Sequence, residues 1–316
     1  MDSQHNKRKS QLQPRRKETT RFFTAGSKPR QQKIIVIVGP TASGKSAFAV
    51  RLALRLSSGQ AKKKFGICGA EIISADSRQV YRGLNIGTAK ITKKEMRGIK
   101  HYCLDIANPK KPFTADDFRK AADKAIGQIR AKEKIPIMVG GTGFYIDTVL
   151  YRALGPDVPP DWKLRKKLEK KSAETLFGRL KKLDPRRAST IDPHNKRRLI
   201  RALEIAKALG KVPKLVRKPR YEAIFIGLNP PTEELKKHIS RRVDTMLRKG
   251  LLKETKSLIK QKIPRRRFAE LGFEYRYPLL YLEGKISRDE MRQRIKTETW
   301  HYAKRQMTWF NKLNKK

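Results

Sequence analysis

The run Gly39-Pro40-Thr41-Ala42-Ser43-Gly44-Lys45-Ser46 fits G-x-x-x-x-G-K-[ST] in full. The chemistry of that spacing is phosphate binding. Its glycines let successive backbone N–H groups turn inward around an anion, and a helix opening at the second glycine adds the positive end of its dipole. Lys45 can reach the terminal phosphate as a point charge, and the Ser46 hydroxyl can ligate magnesium (Mg2+). The pattern implies a bound diphosphate or triphosphate, without distinguishing ATP from another diphosphate.

Three further groups of residues could act beside it. In Ser74-Ala75-Asp76-Ser77-Arg78-Gln79, the Asp76 carboxylate could hold a metal, accept a proton or cap a turn. Gly140-Gly141-Thr142-Gly143 would let a second backbone or a flat base approach closely. In Arg197-Arg198-Leu199-Ile200-Arg201, positions 197 and 201, and 198 and 201, share a helix face. Such a ridge suits an RNA backbone, and its ordinary alternative is a solvated face. Arg242 stands beside Arg241 in a second basic segment, and Cys68 and Cys103 lack the spacing of a zinc site.

These residues need elements to position them. Ile34 to Val38 is a run of five β-branched residues, apolar on both faces, which predicts a central strand of a parallel sheet. A helix is expected from Lys45 to about Leu56, with Phe48, Leu52 and Leu56 on one face. Further strands are expected at 70–74, 101–106 and 135–139, with a helix opened by Thr114 as N-cap and Asp117 three residues on. This rhythm predicts an α/β fold, a P-loop NTPase-like parallel sheet flanked by helices. In such a sheet the carboxyl ends of the strands share one edge, so Asp76 and Thr142 should face the phosphate loop. Residues 57–69 read as a lysine-rich loop.

The rhythm breaks after residue 150. Residues 151–220 carry helical patterns between prolines, with 22 Lys or Arg against 7 Asp or Glu, a net +15. We expect an inserted basic helical subdomain there, with the core begun over 33–150 and completed over 221–316. The completion is a strand at 222–228 and helices at about 233–249, 251–261 and 287–311. In the last, Trp300, Ala303, Met307 and Phe310 are spaced for core packing. Residues 1–32 read as a disordered basic tail.

Composition bounds the function. The 316 residues hold 77 Lys or Arg and 29 Asp or Glu, a net +48, which makes polyanions natural partners. No apolar run approaches the roughly 18 residues of a membrane span, and two cysteines cannot staple a chain of this length. The expectation is a cytoplasmic protein with no membrane partner and no secretory signal.

The combination of GPTASGKS, AEIISADSRQVYRGLNIGTAK, HYCLDI, FTADDF, IPIMVGGTGFYI, RRLIRALEI and AKRQMTWF, in this order over about 33–312, resembles the tRNA dimethylallyltransferases (tRNA isopentenyltransferases). The resemblance implies transfer of a dimethylallyl group from dimethylallyl diphosphate to N6 of the adenine 3′-adjacent to the anticodon. It implies that Gly39 to Ser46 hold the prenyl diphosphate with magnesium at Ser46, and that Asp76, Arg242 and Thr41 are catalytic, Asp76 as general base. It also implies tRNA contacts from Asp76, Ser77, Arg78, Gln79, Thr142, Arg197, Arg198, Leu199, Ile200 and Arg201, in a protein acting as a monomer on the anticodon stem-loop. Loop 57–69, His194 to Arg197 and Leu271 to Tyr275 depart from the family pattern, and no zinc-finger extension is expected. The rival readings are a P-loop kinase of a small metabolite, a prenyltransferase of free adenine nucleotides, and a non-catalytic RNA-binding protein with a relict phosphate loop.

Overall fold

The computed structural model describes residues 20–25, 33–65, 67–151, 156, 158–214 and 218–313. Its strands are β1 (Thr20–Ala25), β2 (Lys33–Val38), β3 (Ala70–Ser74), β4 (His101–Tyr102), β5 (Ile135–Gly140) and β6 (Glu222–Leu228). They form one sheet in the order β1-β6-β2-β5-β3-β4. β2 to β6 are mutually parallel, and β1 runs antiparallel along β6. The parallel α/β expectation holds.

The register explains both the packing and the site. Ile37, Ile72, Ile137 and Val139 bury one face of the sheet against Ala49, Val50 and Ala53 of α1 (Lys45–Leu56). Val36, Val38, Ile73 and Met138 bury the other against Phe118, Ile126 and Ile129 of α4 (Ala115–Arg130) and Tyr145 and Val149 of α5 (Gly143–Tyr151). Adjacent strand residues thus serve opposite cores, as period-two geometry requires of a doubly covered sheet. α2 (Gly59–Phe65) and α3 (Lys93–Met96) are short connectors. The capping box predicted at Thr114 is present. Its hydroxyl accepts from the Asp117 amide at 3.1 Å, while the Asp117 carboxylate accepts from the Thr114 amide at 2.8 Å.

Between α5 and β6 lie α6 (Trp162–Leu168), α7 (Ala173–Leu183), α8 (Pro185–Ala188) and α9 (Lys196–Leu209), packed around their own apolar cluster of Leu168, Leu176, Leu180, Leu199, Ile200 and Leu203. The chain then adds α10 (Thr232–Arg248), α11 (Leu251–Lys260), α12 (Arg265–Leu271), α13 (Phe273–Leu282) and α14 (Arg288–Leu313) after β6.

Four expectations are corrected. Residues 20–25 of the expected disordered tail form an edge strand; the rest of that tail lies outside the described residues. The strand expected over 101–106 ends after Tyr102, because Cys103 and Asp105 take positive φ of 62° and 55° and turn the chain out of the sheet. The loop expected over 57–69 contains α2. Finally, α12 and α13 occupy a stretch in which no helix was expected; Gly272, at φ 133°, separates them.

Candidate active site

The phosphate loop begins where β2 ends. In register, Val38 pairs with Gly140 of β5, and Ser74 of β3 pairs with Val139. The next residues of all three strands therefore emerge on one edge, which brings the loop, Asp76 and Thr142 together. Gly44 caps α1 at φ 81°, a left-handed conformation that costs glycine nothing. Lys45 folds back over the loop, and its Nζ donates to the Pro40 carbonyl at 3.1 Å. Thr41, Lys45, Ser46, Asp76, Arg242 and Tyr302 all line one cavity.

Asp76 is held by its own turn. Its Oδ1 accepts from the amides of Arg78 at 2.8 Å and Gln79 at 3.2 Å, a capping arrangement that fixes the carboxylate and uses only one oxygen. The Ser77 amide donates to the Thr142 hydroxyl at 3.1 Å, tying this turn to the end of β5. The glycines there serve packing. A Cβ on Gly140 would lie 2.1 Å from the Ala75 carbonyl oxygen, and one on Gly143 would lie 2.2 Å from the Trp309 ring. The expected close backbone is that of Ala75, and helix α14 approaches as well, through Gln306 and Trp309.

Arg242 arrives from α10, and its Nη2 donates to the Thr88 carbonyl at 3.1 Å. The same carbonyl accepts from Gln79 Nε2 at 3.3 Å. The loop carrying Thr88 is anchored from behind by Glu254. That carboxylate accepts from the amides of Asn85, Ile86 and Gly87 at 2.9, 2.8 and 3.0 Å and from the Tyr275 hydroxyl at 2.8 Å.

The electrostatics favour an anion. Burial, then repulsion from Arg242, lower the Lys45 pKa to about 8, with Asp76 opposing the shift. Burial also lowers Arg242, against the pull of Glu274 and Asp76. Burial raises Glu274 to about 7 despite Arg78 and Arg242 nearby, and raises the Tyr302 hydroxyl to about 12. Two cations that repel each other in a poorly solvated cavity are what a diphosphate would relieve. Sequence reasoning gave no role to Glu254, Glu274, Tyr302 and Gln306, which come from α11, α13 and α14; Glu274 and Gln306 lie in stretches quoted above, but nothing local marks their place in the cavity.

Residues 79–313 match the IPP transferase family. The chain is 41% identical over 290 residues to a tRNA dimethylallyltransferase of Acetivibrio thermocellus, covering 89% of each chain, and 40% identical over 288 residues to one of Shouchella clausii, covering 89% of this chain and 88% of that one. The chain belongs to the IPP transferase family. Its fold matches the full-length tRNA isopentenylpyrophosphate transferase of Bacillus halodurans with a TM-score of 0.64 at 38% identity, covering 89% of this chain and 87% of that one. It also matches a eukaryotic dimethylallyltransferase solved acting on tRNA, with a TM-score of 0.74 at 29% identity over 88% of this chain and 69% of that one.

In this IPP transferase the five residues expected on α9 divide by face. Arg197 and Arg198 are exposed, whereas the side chains of Leu199 and Ile200 are buried in the insertion's core. Arg201 is bound internally. It pairs with Glu204, which is 2% exposed, and its Nη2 donates to the Val158 carbonyl at 2.9 Å. Glu204 also accepts from Arg165 Nε at 2.8 Å and Nη2 at 2.7 Å, so Arg201 belongs to the buried pairing that joins α6 to α9. Arg78 in turn donates to the Glu270 carbonyl of α12.

Proposed function

We propose that this enzyme transfers a dimethylallyl group from dimethylallyl diphosphate to the exocyclic N6 of the adenine 3′-adjacent to the anticodon of tRNA. The observation that carries the reading is the opposition, across one cavity, of the anion-seeking pair Lys45 and Arg242 to the Asp76 carboxylate. Loss of diphosphate from an allylic carbon develops negative charge on the leaving oxygens. Lys45, Arg242 and the loop amides would stabilise it in a site with little water. The Ser46 hydroxyl offers a hard oxygen donor of the kind magnesium takes in the same cavity, and Mg2+ held there with the diphosphate oxygens would neutralise part of the diphosphate charge.

Asp76 has one carboxylate oxygen committed to its turn and the other free of those amides. That second oxygen would orient the adenine amine and take its proton as the C–N bond forms. Exposed Arg197 and Arg198 would grip the RNA backbone, while Ser77, Arg78, Gln79 and Thr142 would line the approach of the flipped adenine. The protein would work as a cytoplasmic monomer. Among the described residues no helix is long and apolar enough to cross a membrane. The test is nucleoside mass spectrometry of tRNA incubated with enzyme, magnesium and dimethylallyl diphosphate, with Lys45→Ala as control. A dimethylallyl mass on adenosine, lost in the control, is expected. A phosphate added to a small molecule instead would move the protein to the kinases.

A further inference from the structure

Gln306 lies 265 residues from the phosphate loop and touches it directly. Its Oε1 accepts from the Thr41 amide at 2.7 Å, and its Nε2 donates to the Gly141 carbonyl at 2.9 Å. The side chain is 5% exposed and lines the same cavity as Lys45 and Asp76. The fit leaves no slack, since a Cβ on Gly141 would lie 1.9 Å from Gln306 Nε2. One amide of the loop is therefore turned to a protein carbonyl oxygen.

The two ends of this side chain reach the two halves of the reaction proposed above. Thr41 belongs to the loop that would hold the leaving diphosphate. Gly141 immediately precedes Thr142, whose hydroxyl accepts from the Ser77 amide and so fixes the turn of Asp76. A side-chain amide accepts at one end and donates at the other, in a plane of fixed width and without depending on pH. We infer that Gln306 is a positioning residue, a clasp from α14 that sets the distance between the diphosphate pocket and the Asp76 turn. This rests on the transferase reading. A loose clasp would leave both ligands bound and the reacting atoms misaligned, and misplacement of about 1 Å can cost about a hundredfold in rate.

Gln306→Met keeps the volume and removes both hydrogen bonds. In single-turnover transfer to an anticodon stem-loop RNA, its rate should fall about a hundredfold. Dissociation constants for dimethylallyl diphosphate and RNA should move by less than about threefold, because the loss falls on the transition state. A wild-type rate, or a loss confined to binding, overturns the clasp. Gln306→Glu supplies a signature that mere structural support lacks. Its carboxyl can accept from Thr41 in either form but can donate to Gly141 only when protonated. Its rate relative to wild type should therefore climb as pH falls from about 8.5 to about 6, and a flat ratio refutes the idea. Amide hydrogen exchange tests the clasp without catalysis. Protection should fall at 39–42 and 140–143 in Gln306→Met, and unchanged exchange there overturns the clasp. If the wild type transfers nothing while exchange responds as stated, the transferase reading fails and the clasp stands.

Discussion

Diphosphate binding should take up a proton, and Lys45 should be the group that does so. In the free enzyme its pKa is about 8, held down by burial and by Arg242. A diphosphate between the two cations replaces that repulsion with attraction and raises the bound-state value, so the ammonium form is the one that binds. The sign follows. Well below pH 8 Lys45 is already charged and affinity is level; well above it, each binding event must recharge the amine. The charged fraction is about ten in eleven at pH 7 and about one in eleven at pH 9, so affinity should fall about tenfold across that interval. The ligand's own last ionisation, at about pH 6, is largely past over that interval.

Calorimetry in two buffers of different ionisation enthalpy reads the proton directly. At pH 8.5 the uptake should be about three quarters of a proton per site. Glu274, at about 7, is the other group able to contribute, and Lys45→Ala separates them, because uptake that survives the substitution belongs to Glu274. Wild-type affinity that is level from pH 7 to 9, with no proton uptake, would refute the electrostatic reading of the cavity. It would also remove Lys45 from the diphosphate site.

The remaining predictions test one contact each. Asp76→Asn keeps the oxygen that caps Arg78 and Gln79 but loses the proton acceptor, so single-turnover transfer should drop about 10²- to 10⁴-fold with near-normal RNA binding and no rescue by excess magnesium. Reversing Arg197 and Arg198 to Glu should weaken RNA binding and lower its log–log salt slope by about one per lost phosphate contact, with diphosphate affinity unchanged. Glu254→Gln weakens the acceptor of three loop amides; denaturation should show a loss of about 1–3 kcal/mol, and turnover should fall as the Thr88 carbonyl drifts from Arg242.

The half of the site built on strand ends was legible because its geometry is local. A phosphate loop between a β-branched strand and a helix needs no tertiary information, and parallel strands put Asp76 and Thr142 on the same edge. Gln306 was not legible, because a buried glutamine has the same letter as a surface one and its partners lie far away in sequence. One signal existed. Gln306 is three residues after Ala303, which is fully buried, so it sits on the inward stripe of α14 rather than among Lys304 and Arg305. Glu204 carries a similar signal, four residues beyond buried Ile200 on α9. A polar residue on an apolar stripe requires a partner, and only the fold names it. The shortened β4 failed for a different reason, since apolar residues at 103 and 106 suggest a strand while the left-handed backbone at Cys103 forbids one.

The charge of the basic insertion is not all available to a ligand. Its net +15 counts every cation equally, yet Arg165 and Arg201 are held by Glu204, while Arg197, Arg198 and lysines such as Lys181 and Lys182 stand in solvent. Arg201→Ala would leave Glu204 with a single cationic partner in a buried setting, so it should loosen α9 against α6 and lower thermal stability rather than reduce the salt slope. On the proposed function, docking and chemistry should therefore be separable. The exposed arginines lie on helices with their own apolar core, and the cavity lies on the sheet edge, braced by α10, α11 and α14. Substitutions in the first should change how much RNA is bound, and those in the second should change how fast bound RNA reacts.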